Sequence, residues 1–470
     1  MLTAFSVKNF KSIRDSGKIC IKPLTIFIGP NNSGKSSVLQ FLLAVKQTVE
    51  SRGSDTPFST GGSSLHTEQR KEHVDLGIYE DFIFLNDKKR NISFNFYFET
   101  DLTDTNFHLD ESRKASSRKT NVETESVISY RENRIYLKTF TVNWDGKTIT
   151  FKSPTDIEQN VVDEKALSEI MKNPEISALY TREKFYYIPL SSYLTQKLAL
   201  SYYETMKGIV AERGILEGMI RANHILTAFQ ETITVAFEKL FYLGPLREYP
   251  QRYYLFSDEK PVHVGIKGEK AVEILFVSKN TSREIFQNVN SWFKNLGLGE
   301  LSFDRRGPLY TLNVAHPTIK KGSQDLKVNI AAGGFGASQL LQVIVEGFYA
   351  PENAVIIIEK PEIHLHPRLQ AEMGDLLVDI AKTGKRLIVE THSEYLLLRI
   401  QRRIAEGTID TDDVVVYYFE QTEEGTRITK LELDKFGRFI NWPKGFFEED
   451  LMEAYEHSKA IAEKIEEGIA

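Results

Sequence analysis

The chain of 470 residues has a single cysteine, Cys20, which excludes an internal disulfide framework and fits a reducing compartment. It has no uninterrupted apolar run of about 18 residues, so no membrane-spanning helix is predicted. Its opening stretch, MLTAFSVKNFKSI, lacks the basic-then-apolar order of a leader and alternates like a strand. The expectation is a cytoplasmic chain without membrane association. An excess of positive charge is missing too: the formal net charge of −6 argues against a uniformly basic nucleic-acid coat, although a local groove could hide inside that balance. Sustained heptads are absent between Val161 and Lys239, which argues against a long coiled-coil arm, and no internal repeat is evident. What is present is ordinary globular usage, 41% hydrophobic and 26% charged, enough for two or three cores.

TAFSVKNF and PLTIFIG read as short strands, the second running through a Gly/Asn/Ser loop into the helical pattern KSSVLQFLLAVKQTV. Residues Ser51 to Gln69 are Gly/Ser-rich and polar and read as a mobile loop. From Ile92 to about Phe151 the pattern alternates with period 2 around the turn signals Arg131-Glu132-Asn133 and Asp145-Gly146, predicting an antiparallel β-region. Asp110 to Thr120, charged and aperiodic, reads as a solvated loop, with a nucleic-acid finger as the less favoured alternative. Helical spacing from Val161 to Lys239, broken by Gly208, Gly214 and Gly218, predicts a helical insertion. After Phe241 the chain returns to α/β alternation: AVEILF as a strand, a helix near Arg283 to Asn295, strands at YTLNVAH and LKVNIAA, then helix, strand, helix, strand, helix through Ile404. A hairpin, DVVVYYFEQTEEGTRITKLELD, and a charged amphipathic helix close the sequence. The predicted division is an N-terminal lobe over 1–160, a helical arm over 161–240, a C-terminal lobe over 241–410 and a hairpin-plus-helix appendage over 411–470.

Gly29-Pro-Asn-Asn-Ser-Gly34-Lys35-Ser36 satisfies G-x-x-x-x-G-K-[ST], and its place between a strand and a helix is the context that motif needs. Backbone N–H groups from Gly29, Asn31, Asn32, Ser33, Gly34, Lys35, Ser36 and Ser37 would cradle phosphates at a helix N-terminus. Lys35 would reach the β/γ-phosphates and Ser36 would hold Mg²⁺, so ATP and Mg²⁺ are the expected cofactors. Far downstream, VIIIEK is a buried strand ending in Glu359, an acid suited to Mg²⁺ opposite Ser36. KRLIVETHSEYLL places His392 at the end of another strand, where it can contact a γ-phosphate; the plainer alternative is a helix cap by Thr391 or Ser393, and both can hold together. His364 and His366 alternate, but no Cys or third His completes a metal site.

The order of P-loop, GGFGASQLLQ, IIIEKPEIHLHP and VETHSE resembles the ABC-type AAA-family ATPases of the SMC, RecF and overcoming-lysogenization-defect branch. The resemblance covers almost the whole chain and implies an α/β fold, an ABC-type P-loop ATPase head with an antiparallel β-region and a helical insertion. It makes the second segment a degenerate signature helix, in which Gly336, Ser338 and Gln339 would cap the γ-phosphate held by a second subunit; an ordinary helix start after a Gly turn is the alternative. It makes the third segment Walker B with its D-loop and His392 the switch histidine. HVDLGIYEDF occupies the Q-loop region without a glutamine, so no residue is assigned there. Arg247 and Arg252 follow a GPLR…R pattern that could serve phosphate, a subunit contact or structure alone. Lys360 falls where these ATPases usually keep the glutamate that polarises the attacking water. A charged ammonium cannot accept that proton, which leaves Glu362 or Glu390 as substitutes and predicts slow hydrolysis.

YLGPLREYPQRYY and GRFINWPKGFF are similar to a bacterial subgroup with a C-terminal domain of unknown function, related to ATPases of antiphage systems of the Septu, PARIS and retron type. That likeness implies a homodimer or higher homo-oligomer acting as sensor or scaffold for a separate effector, a nuclease or toxin. The competing reading is a DNA-repair or chromosome-type ATPase that clamps nucleic acid itself, for which long heptad arms or a basic stripe would be expected. A self-contained nuclease would need an acidic domain after His392, and the stretch from there to Ala470 is too short for one.

Overall fold

The computed structural model describes residues 1–50, 58, 60, 73–103, 117–152, 161–162, 229, 231–256, 260–443 and 459, apart from 133, 145 and 322–323. Apart from Phe58, Thr60 and Lys459, the Ser51–Gln69 loop and the last helix lie outside the described residues, as does most of the expected arm; within the arm's bounds residues 231–238 are helical.

The centre of the fold is a six-stranded sheet in the order Leu240–Leu243, Val355–Glu359, Arg386–Glu390, Leu24–Ile28, Val414–Thr422, Gly425–Leu431. The first five strands are parallel and the last is antiparallel. Val355–Glu359 and Leu24–Ile28 are buried at every position. Continuous apolar runs are what a parallel sheet covered on both faces requires. Its two faces feed two cores. On one, the helix Lys35–Glu50 inserts Val38, Phe41, Leu42 and Val45 between Phe27, Ile357 and Ile388 of the sheet and Phe94 and Phe96 of a second sheet. On the other, Ile26, Ile356, Ile358 and Leu387 meet the helices Phe335–Tyr349, Pro367–Lys382 and Glu394–Ala405.

That second sheet is antiparallel, with Leu2–Phe10, Ile92–Thr103, Ser117–Arg131, Arg134–Trp144 and Lys147–Lys152 as consecutive neighbours. The mixed α/β class and the antiparallel region follow the expectation. A third, three-stranded sheet, Glu300–Arg306, Leu309–Lys321 and Gln324–Asn329, flanks the helix Arg283–Asn295.

Three expectations are corrected. AVEILF is the start of a helix, Ala271–Thr281, because its apolar residues are buried on successive turns, and a short apolar run does not distinguish a buried helix from a strand by periodicity. Ser117 to Thr120, assigned to a loop, extends the strand Ser117–Arg131, paired with Ile92–Thr103 from Thr100↔Thr120 to Thr103↔Ser117. The hairpin after Asp410 is no appendage: Val414–Thr422 lies in parallel register against the P-loop strand, from Val414↔Leu24 to Tyr418↔Ile28. Its buried Val415, Val416 and Phe419 close the sheet on the side away from Val355–Glu359.

Candidate nucleotide site

The strand Leu24–Ile28 ends at the loop Gly29–Gly34, and the helix Lys35–Glu50 begins at once. The loop's path is enforced by positive φ angles at Gly29 (144°), Asn32 (60°) and Gly34 (96°). A Cβ on Gly29 would stand 2.2 Å from the Phe419 carbonyl oxygen, and one on Gly34 would stand 2.3 Å from Thr426 Oγ1. The neighbouring hairpin therefore fixes the cradle from outside, so glycine is required for space as well as for φ. Asn31 and Asn32 are exposed, Ser33 is buried, and Ser36 and Ser37 are half-buried on the first helical turn.

Lys35 is buried, and its ammonium donates to the Gly29 carbonyl (2.9 Å), the Pro30 carbonyl (2.7 Å) and Ser33 Oγ (3.4 Å). Burial lowers its pKa, and the charge of Glu390 opposes that shift. Ser36 Oγ donates to Glu390 Oε2 at 3.1 Å. The carboxylate facing the P-loop hydroxyl is thus Glu390. Glu359, its register partner on the adjacent strand, accepts instead from Tyr242 Oη at 2.9 Å. Burial, with Glu390 beside it, raises Glu359 to about 7. Burial also raises Glu390, with Lys35 opposing.

Beyond Glu359 the chain turns sharply. Lys360 adopts a left-handed φ of 47°, its N–H donating to the Glu390 carbonyl at 2.7 Å. An L side chain in that region costs of order 1 kcal/mol and persists where the surroundings over-determine it. The turn carries Glu362 back under the sheet end, where its Oε1 accepts from the His392 N–H at 2.7 Å and its Oε2 is buried without a partner. Burial raises Glu362, and the amides of His392 and of Glu362 itself oppose that. His392 is held to about 4 by burial and by the charges of Lys35 and Lys360, so the ring is neutral at physiological pH, and its Nε2 is buried without a partner. Ser393 caps the following helix, accepting from the Leu396 N–H, so the cap and a free histidine edge coexist.

The P-loop, Glu359, Glu362, Glu390 and His392 therefore converge at the carboxyl ends of adjacent parallel strands. Among the described residues no three His, Cys, Asp or Glu side chains form a metal cage. Magnesium takes one or two carboxylates plus phosphate oxygens. Burial raises both Glu359 and Glu390, and Glu390 raises Glu359 further, which marks a place where a cation would be welcome, and the glycine cradle fits phosphate. Ser36 and Glu390, with Glu359 alongside, would hold Mg²⁺, which when bound supplies charge neutralisation at the phosphates. This chain's own residues fix the loop, bury the Lys35 ammonium within it, and leave a neutral imidazole nitrogen at His392 and a carboxylate oxygen at Glu362 without hydrogen-bond partners.

The signature-region residues lie elsewhere. Gly336 sits in the first turn of Phe335–Tyr349, packed against the turn at His364 and Leu365, where a Cβ would meet the His364 carbonyl at 3.3 Å. Ser338 and Gln339 are buried, at 3% and 1% exposure, so their side chains face this chain's interior, and the exposed part of the helix start is Gly333 and Gly334. His366 caps the next helix through Nδ1 and His364 is exposed. One contributor escaped the sequence reading and another was named there without a settled role. Tyr242 carried no motif and is found only once Leu240–Leu243 is known to lie beside Val355–Glu359. Arg247, left open between roles, is buried and donates to the Glu359 carbonyl at 3.0 Å. Arg252 is exposed.

A family model described as AAA ATPase domain matches residues 1–397, and one described as a protein of unknown function (DUF3696) matches residues 409–454. Over 147 residues, 31% of this chain, the sequence is 29% identical to the L-cystine import ATP-binding protein TcyN of Bacillus subtilis (strain 168), and the chain spans about half, 53%, of that relative's length. Solved structures similar to it include the SMC head domain from Thermotoga maritima, at 12% identity and a TM-score of 0.39 over 92% of this chain and 99% of that one. Another is the Smc head domain with an extended coiled coil bound to the C-terminal domain of ScpA, from Pyrococcus furiosus, at 14% identity and a TM-score of 0.39 over 97% and 99% of the two chains. The chain belongs to the AAA ATPase domain family. No helix among its described residues is long and apolar enough to cross a membrane.

Proposed function

We propose, from the chain's membership of that ATPase family, that it is an ATP-dependent switch. Two copies close on shared nucleotides, hydrolyse them slowly, and in the closed state act as sensor and scaffold for a separate nuclease or toxin in bacterial antiphage defence. The observation that carries the slow step is Lys360. Its charge bears on Lys35, Glu359, Glu390 and His392, so an ammonium stands among the groups that would otherwise include the water-activating acid. Glu362 is the best-placed substitute, having a buried oxygen without a partner, although one of its oxygens is already held by the His392 amide. The antiphage role rests on the likeness of YLGPLREYPQRYY and GRFINWPKGFF to that subgroup.

Replacing Lys360 by Glu should speed turnover with ATP affinity unchanged. A parent enzyme already turning over at about 10 s⁻¹, the median for enzymes, overturns the slow step. Closure is tested at Gly334, which caps the signature-region helix at the surface and where an added Cβ would meet nothing within 4 Å. Gly334→Arg should retain ATP binding and lose ATP-dependent association in light scattering. Equal ATP-dependent mass in parent and variant removes this helix from the interface, and a parent that stays monomeric with ATP removes the dimer. DNA binding that needs ATP but no second protein would favour the clamp over the scaffold.

A further inference from the structure

A cavity of about 190 Å³ opens between the helix Phe335–Tyr349, the helix Ala271–Thr281 and the segment after Arg247. Its charge is one-sided among the described residues: Glu248, Glu269 and Glu273 line it, against a single cation, Lys270, whose ammonium is 3.1 Å from Glu273. Acidity alone would not make a site. The deciding group is Gln342, also in the lining and only 6% exposed. Its Nε2 donates to the Glu248 carbonyl at 2.9 Å, which fixes the amide, and its Oε1 is buried with no hydrogen-bond partner. A buried acceptor left unmade costs of order 1–3 kcal/mol, so a ligand that brings an N–H donor recovers that cost. The rest of the lining is mixed, with Tyr254 and Phe256 stacked on each other at 5.9 Å and 10° beside Pro250, Leu255, Val272 and Leu341.

Net negative charge and an orphaned acceptor together select a compact cation that donates hydrogen bonds. We propose that this cavity binds a guanidinium or alkylammonium group. The cation comes either from a small amine or from an arginine or lysine side chain of a protein partner. A bare metal ion fits poorly, since among the described residues no cluster of three metal-ligating side chains exists. Ser338 of the signature-region helix also lines the cavity, which lies outside the P-loop and the acids facing it, and the proposal stands whether or not the chain proves to be a slow switch.

The test is calorimetric titration of the full chain with n-butylguanidinium and with acetyl-Leu-Arg-Leu-amide, each beside its neutral isostere, n-butylurea and the citrulline peptide. Saturable binding of a guanidinium probe, at least tenfold tighter than its isostere, is expected. Binding of the small probe identifies a free amine as sufficient, and binding of the peptide alone identifies a protein side chain as the source. Glu248→Gln, at a half-buried position, and Gln342→Leu should each weaken binding about tenfold, with ATP affinity as the check on folding. If Gln342→Leu fails to fold, Glu248→Gln decides. No binding of either probe, equal binding of the neutral isosteres, or an unchanged affinity in folded Glu248→Gln overturns the proposal.

Discussion

On the face of the six-stranded sheet that carries the P-loop helix, burial is done by rings. Phe41 lies 5.3 Å from Phe94 and 5.9 Å from Phe96, with Phe5 and Phe10 adjoining. On the opposite face and at the strand ends, burial takes in polar groups whose atoms stay unmatched: Arg247, Gln339, Gln342, Glu346, Glu362 and His392, against only His73 and Arg90 in the aromatic lobe, among the described residues. Rings need only contact, and they give the antiparallel lobe stability without chemistry. Unmatched buried polar groups weaken the fold and are retained where a ligand or a partner completes them. The two regions share one sheet, so one can be altered and the other watched.

The largest effect separates them outright. Lys35→Ala should abolish ATP binding in calorimetry, since a methyl cannot offset charge on the β/γ-phosphates, while the thermal unfolding midpoint barely moves. Unchanged affinity would mean the cradle is not where nucleotide binds. Phe94→Ala tests the converse: truncating a ring 1% exposed should cost about 3–5 kcal/mol of stability, leaving ATP affinity within a factor of two wherever the variant is folded. A matching loss of affinity would show that the aromatic lobe does more than support the helix.

The smallest effect lies in Glu346, whose Oε2 accepts the Val264 N–H at 3.0 Å and whose burial raises it to about 7. Its folded-state pKa is above the unfolded value. The stability it contributes is therefore fully present below about 4.5, the unfolded pKa, and is lost as pH rises through about 7. Glu346→Gln, neutral throughout, should be more stable than the parent at pH 8 by on the order of 3 kcal/mol, with most of that gain gone by pH 5. Equal pH dependence in parent and variant would show that the carboxyl is not the titrating group.

Much of this was legible in one dimension. The P-loop announces itself because its function needs consecutive backbone amides, and consecutive residues are what a sequence records. The strand ending in Glu359 is readable for the same reason, as a short apolar run with an acid at the end; the next strand, expected to reach His392, stops at Glu390. The errors have a common cause. AVEILF became a helix and Ser117 to Thr120 a strand because neighbours elsewhere in the chain decided what those residues could pair with.

The loop that can cradle phosphate, the sheet strands and the acids at their ends are written into adjacent residues, since each depends on sterics and hydrogen bonding over a short stretch of chain. Long-range packing alone selects the acid that meets Ser36, sets Tyr242 against Glu359, turns Ser338 inward, and makes the closing hairpin wall the P-loop at Gly29 and Gly34. Those are distances between residues far apart in the chain, such as Ser36 and Glu390 at 3.1 Å. They are set by strand order and register, which local propensity does not encode.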